Sequence, residues 1–257
     1  MEEMPTREKW RRDELLIALK LYCELPFGKM HSQNPEIQRY AAILGRTPSS
    51  LAMKLTNFAS LDPQIRATGR KGLSGASKAD REIWEEMTSD WSRLADEIAK
   101  AESALPAPSP AVEPEWTERD FTGKTRTTKT QARIGQDFFR KAVLSAYEYK
   151  CCITGLSLPV LLVASHILPW RDDASNRLNP RNGLCLSAMH DRAFDQGLIS
   201  LSEDFRLLLS PAIQTMKATS YIENTFWAYA GREIQLPKKF NPDPAFLQYH
   251  REHLFQR

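Results

Sequence analysis

The stretch Ser165–Asp195, SHILPWRDDASNRLNPRNGLCLSAMHDRAFD, decides how this chain is read. The apolar run Val160–Ala164 (VLLVA) precedes it and suits a buried strand. His166 follows almost directly, so it stands at the strand end, where a loop opens. Imidazole titrates near neutral pH and can take a proton from water at working pH. Pro169 stops the strand, and Arg171–Arg181 has loop composition. Asn182-Gly183 is a turn signal, Gly183–Leu186 a short second strand, and Ser187 a cap for a helix that carries His190. The spacing predicts a strand–loop–strand–helix unit with His166, Asn182 and His190 at its hinges.

That order and spacing resemble the His-Asn-His core of the HNH endonucleases, which fold as a β-hairpin and a helix around one metal ion. The likeness extends over roughly the last half of the chain. It includes ARIGQDFFRKAVLSAY (Ala132–Tyr147), CCITG (Cys151–Gly155), SHILPW, NGLCL, HDRAFDQG and the tail YHREHLF (Tyr249–Phe255), five motifs and a tail in one order. This set is most similar to the subgroup found in bacterial restriction-type endonucleases. The resemblance implies that His166 is the general base, Asn182 the residue that positions the loop, and His190 a metal ligand. It also implies a divalent metal, Mg2+ first and Mn2+ as an alternative, that neutralises charge on the scissile phosphate. Two positions depart from the family pattern. Ser165 stands where many members have Asp or His as a second ligand, and Phe194 stands where many have His or Asn four residues after the ligand His. Asp195 is the nearest substitute, although five helical residues turn it about 140° from His190 against about 40° for four. It serves only if the helix ends or distorts there, which Gly197 allows. Asp191 is the weaker candidate.

Composition places limits on the rest. The chain has 257 residues with 42% apolar side chains, enough for one or two domains with real cores. No run approaches the ~18 apolar residues of a membrane span, and MEEMPTREKWRRDELL lacks the apolar core of a signal peptide; a cytoplasmic protein is expected. Cys23, Cys151, Cys152 and Cys185 do not form two CxxC pairs, so reduced core cysteines are expected and no structural zinc. Net charge is only +3, but residues 119–150 hold eight basic side chains against three acidic. Lys124, Arg126, Lys129 and Arg133 in that segment are candidate phosphate contacts.

Residues 101–115, AESALPAPSPAVEPE, read as an extended Pro-rich linker between a helical domain at 1–100 and a nuclease domain at 116–257. In the first, Leu15, Leu19 and Tyr22 share a helical face, and Ile37, Tyr40, Ala41 and Leu44 follow the i, i+3, i+4, i+7 pattern. Gly45 ends that helix, and Thr47-Pro48 caps the next, whose stripe is Leu51, Leu55 and Phe58. Two helices joined by a tight glycine turn resemble a helix-turn-helix. The second would expose Lys54 and Asn57 to DNA, and Arg70-Lys71 would form a basic wing. Trp84, Met87, Trp91, Leu94 and Ile98 suggest one further helix with its stripe in the core. Short strands are expected at Leu198–Leu201 and Arg206–Leu209, then a helix near Ser220–Tyr229.

The expected architecture is α+β: an all-helical, helix-turn-helix-like domain linked to a ββα-metal nuclease domain. The expected activity is a metal-dependent DNA endonuclease of restriction or defence type, with modification dependence open at family level. Two alternatives stay open: a non-cleaving DNA-binding regulator with a decayed nuclease domain, and a defence effector whose N-terminal domain binds protein. One such core cuts one strand, so double-strand cutting implies a homodimer or two successive events.

Overall fold

A computed structural model describes residues 9–67, 75–106, 131–173 and 175–257, without the side chains of 131–134. The helical half is built around α1 (Arg12–Glu24), whose sequence RDELLIALKLYCE is apolar on nearly every side and is correspondingly buried all round. Its polar exceptions are paired: Glu14 with Arg46 at 2.8 Å and Lys20 with Glu24 at 2.9 Å. Around it lie α2 (Pro35–Ile43), α3 (Pro48–Leu61), α4 (Pro63–Ala67), α5 (Lys78–Ser89) and α6 (Trp91–Ser103). Asn34 and Thr47 cap α2 and α3, each ahead of a proline at the first helical position, where its missing N–H costs nothing. The single helix expected over Trp84–Ile98 is two. Asp90, at φ −153°, ends α5, and its side chain accepts from the Arg93 N–H at 2.9 Å to start α6.

The second half begins with α7 (Gln131–Ala146), which packs on both α1 and the first sheet. That sheet pairs β1 (Leu162–His166) antiparallel with β2 (Gly183–Ser187). The strand expected at Val160–Ala164 starts two residues later, because Pro159 opens a 3-10 turn over Pro159–Leu161 and leaves Val160 and Leu161 exposed. Then come α8 (Ala188–Asp195) and a second hairpin of β3 (Ile199–Leu201) and β4 (Leu207–Leu209). Short α9 (Pro211–Gln214) and α10 (Ser220–Thr225) follow, and α11 (Pro244–His253) closes over β3. The fold is α+β, with its small antiparallel sheets in the C-terminal part. Among the described residues no helix is long and apolar enough to cross a membrane.

The halves on either side of the Pro-rich stretch, whose residues 107–115 lie outside the described ones, share one buried apolar cluster. Ser145 donates to the Cys23 carbonyl at 2.7 Å. Lys239, fully buried, donates to the carbonyls of Tyr22, Cys23 and Leu25 at the end of α1. That is the cation-at-C-terminus arrangement a helix dipole favours, here supplied by the other half. All four cysteines are free and buried.

Candidate active site

Antiparallel pairing sets His166 opposite Gly183 at the open end of the β1–β2 pair. The turn expected at Asn182-Gly183 is tighter than its sequence suggests. Pro180–Asn182 forms a 3-10 turn, and Gly183 is already extended in β2. Glycine is required there by close approach: a Cβ would lie 2.3 Å from Val143 Cγ2 and 3.0 Å from Phe139 Cζ, both on α7. Phe139 also stacks on the His166 ring, with centroids 4.0 Å apart, while Trp170 meets its edge at 5.5 Å. His166 Nε2–H donates to the Arg177 carbonyl at 2.8 Å, which leaves Nδ1 with the basic lone pair. Burial pushes the His166 pKa below the ordinary imidazole value. The ring is neutral, oriented and ready to accept a proton.

The Arg177 carbonyl is held in place by the loop, and Asn182 pins the loop. Its buried Oδ1 accepts from the Leu168 N–H at 2.7 Å, and its Nδ2 donates to the carbonyls of Leu168 at 3.3 Å and Asn176 at 3.1 Å. These three bonds use all but one of the four hydrogen-bonding positions of the amide.

A cavity of about 650 Å³ opens beside His166, lined also by Ser165, Trp170, Arg171, Asp191 and Asp195. Helical periodicity explains the acids. Residues four apart lie about 40° from one another on a helix, so Asp191 and Asp195 share the face of α8 that looks into the cavity. His190 and Phe194, likewise four apart, share the buried face. His190 is therefore not placed as a metal ligand. Its Nδ1 accepts from the Ser187 hydroxyl at 2.8 Å and its Nε2–H donates to the Thr225 carbonyl at 2.9 Å, so both nitrogens are occupied inside the fold. The angular objection to Asp195 disappears once its partner is Asp191 rather than His190. The D-x-x-x-D spacing in HDRAFD was the signal for this pair, masked by the histidine next to it.

Burial raises the carboxyl pKa of both acids, and the negative charge of Asp191 raises Asp195 further. Two acids made costly in this way are relieved by a cation. Ser165 Oγ is buried without a hydrogen-bond partner of ordinary geometry, although it lies near enough to lower the Asp191 carboxyl somewhat. Among the described residues no three His, Cys, Asp or Glu side chains converge as a metal site. Two carboxylates and a hydroxyl are hard oxygen donors, however, and Mg2+ commonly uses one or two carboxylates and fills its other positions with water and phosphate. The donor set fits such an ion. His250, within the tail segment Tyr249–Phe255, borders the same cavity but, like His190, is held inside the fold, with its Nε2–H donating to the Phe194 carbonyl at 3.2 Å. Its Nδ1 lies 2.9 Å from Ser200 Oγ, its ring stacks on Phe194, and burial pushes its pKa down to about 4.

The residues expected to meet DNA fare differently. Lys54 and Asn57 are both buried rather than displayed, and the Lys54 ammonium is held by both oxygens of Asp80 at 3.0 and 3.1 Å. The exposed face inferred from the Leu51-Leu55-Phe58 stripe is covered because α3 packs against α5 as well as α1 and α2. Arg70, Lys71, Lys124, Arg126 and Lys129 lie outside the described residues, and Arg133 lies in the first turn of α7, where only the backbone is described.

Compared with known families, residues 151–202 match the model described as HNH endonuclease. The match starts at the CCITG segment, contains β1, β2 and α8, and ends just after β3. That stretch is similar to HNH endonuclease domains, a likeness that points to nuclease activity in general. No curated protein matches the chain.

Proposed function

We propose that this protein is a divalent-metal-dependent DNA endonuclease of restriction or defence type, acting in the cytoplasm, with residues 1–100 choosing the DNA. The observation that carries the reading is one cavity faced both by His166 and by the Asp191–Asp195 pair. His166 Nδ1 takes a proton from water. The resulting hydroxide forms a bond to phosphorus while the P–O bond opposite it breaks, the leaving oxygen takes up a proton, and His166 returns its own to solvent. Asp191 and Asp195, with Ser165 beside them, would hold a cation that offsets charge on the phosphate and the leaving oxygen. Arg171, exposed at the cavity edge, supplies a cation for a neighbouring phosphate. Asn182 acts through the loop, by fixing the carbonyl that sets the His166 tautomer.

Cutting by such an enzyme has to be confined to chosen DNA, by sequence, by base modification or by a partner. The helical half is the part of the chain free of the chemistry, and it supports the role of reader; a homodimer would cut both strands. The test is plasmid nicking with Mg2+ or Mn2+. His166→Ala is expected to lose about 10²–10⁴-fold in rate while folding is preserved. Cleavage within a few-fold of the parent would reject His166 as the base.

A further inference from the structure

A second cavity, of about 540 Å³, opens on the helical half between the residues preceding α1, the first turns of α3 and the start of α5. That is within the roughly 300–1,000 Å³ typical of small-ligand sites. Its wall carries Lys9, Arg46, Lys54 and Lys78 and no carboxylate. The acids that answer three of these cations stand outside the cavity lining, Glu14 on Arg46 at 2.8 Å, Asp80 on Lys54 at 3.0 Å and Glu82 on Lys78 at 3.7 Å. Trp10 lies among them, with the Arg46 guanidinium 5.0 Å and the Lys54 ammonium 5.1 Å from its ring.

Asn57 decides what such a cavity is for. It is 7% exposed and lines the cavity, and its amide is not among the polar atoms sealed inside the protein without a partner, so what little of it is exposed opens onto the cavity. An amide held among side chains and open only to a cavity is available to whatever fills it. Its carbonyl and NH2 offer an acceptor and two donors in a single plane, the pattern that pairs with the edge of a nucleobase. A lining with four cations and no carboxylate of its own suits a phosphate, and an indole suits the apolar ring of a base. Lys9 and Lys78, both exposed, stand at the mouth.

We propose that this cavity takes one nucleotide of the nucleic-acid substrate, its phosphate on the lysines at the mouth and its base edge on the Asn57 amide. The proposal deepens the reading of the chain as a DNA endonuclease and rests on it. It also gives Lys54 and Asn57 a part in DNA binding different from that of an exposed recognition helix: Asn57 reads, and Lys54, fixed by Asp80, contributes charge to the wall. A base paired inside a duplex cannot reach the bottom of such a cavity, so the nucleotide must be unpaired or turned out of the stack.

The test uses the full chain carrying His166→Ala, so that DNA stays intact, and reads binding to a short fluorescein-labelled single strand and to the matching duplex by anisotropy. A deoxynucleoside monophosphate serves as competitor. Asn57→Ala removes an amide that makes no side-chain hydrogen bond to the described residues, so its Tm is expected to stay within a few degrees of the parent while affinity for the oligonucleotide falls about tenfold or more. Ser50→Asp places an acid in the first turn of α3, where a helix tolerates it well. It is expected to keep the fold and to weaken binding most at low salt. Competition by the monophosphate would identify a free nucleotide as sufficient; no competition, with single strand bound more tightly than duplex, would identify an unpaired nucleotide within the polymer. If both variants bind like their parent, or the parent binds none of the three probes, the proposal is overturned. The chain with His166 intact separates the two readings. If it binds DNA through Asn57 yet leaves plasmid uncut with either metal, the nuclease reading fails and the nucleotide site stands.

Discussion

Removing His190 and removing Asp191, neighbours on one helix, should have opposite effects on stability and on metal binding. His190 is 1% exposed and makes two hydrogen bonds inside the fold, one to Ser187 at 2.8 Å and one to Thr225 at 2.9 Å, with Phe226 against its ring. Each such bond contributes about 1 kcal/mol, and stranding the buried partner raises the cost to about 1–3 kcal/mol. His190→Ala should therefore lose about 3–4 kcal/mol once the small cavity is included. Asp191 has a carboxyl pKa raised by burial. A carboxylate harder to ionise folded than unfolded opposes folding at neutral pH, so neutral Asn at this position should leave stability unchanged or increase it. Urea unfolding in EDTA reads the first quantity, and titration calorimetry with Mn2+ below the unfolding transition reads the second. His190→Ala is expected to shift the midpoint down sharply while keeping metal affinity within a few-fold. Asp191→Asn is expected to keep its midpoint and lose affinity by at least about 10–100-fold. A His190→Ala protein that stays within about 1 kcal/mol of the parent but no longer binds metal would refute the placement of the ion on the two aspartates.

Three further outcomes can be checked by unfolding. The folded state holds His250 neutral down to about pH 4 against 6.5 for the free side chain, so from pH 6.5 to 4 only the unfolded chain gains that proton; stability should fall by about 3 kcal/mol over this window, and His250→Gln should flatten the profile. Gly197 has φ +66°, and a Cβ there would lie 2.0 Å from the Leu254 carbonyl oxygen; Gly197→Ala should cost about 3 kcal/mol or more and expose the tail to protease, and a loss of only the roughly 1 kcal/mol of a left-handed residue would show that the tail gives way freely. Lys239→Ala strands three carbonyls at the end of α1 and should lower stability by about 3–5 kcal/mol in a single transition for both halves; two separated transitions would mean that the shared core does not couple them.

Local chemistry in the chain determined a great deal by itself. Thr47-Pro48 and Ser187 start helices whatever surrounds them, because a cap needs only the next three residues. The alternation from apolar strand to polar loop to strand to helix in residues 160–195 specifies the order of elements, and with it the place of His166 at the end of β1. Which side of α8 faces the cavity was decided by tertiary structure. His190 and Asp191 are adjacent in sequence and about 100° apart on the helix, and only the packing of β1, β2 and α10 around it says which one is wet. The same holds for Lys54 and Asn57. A stripe of Leu51, Leu55 and Phe58 predicts one buried face, but α5 arrives from more than twenty residues later to cover a second, with Asp80 ready for the lysine. Division of the chain at a Pro-rich stretch is a compositional signal of the same local kind. The contact of α1 with α7 and the reach of Lys239 across to the end of α1 are long-range facts, made by apolar surfaces and one ammonium that have no reason to meet until the chain is folded.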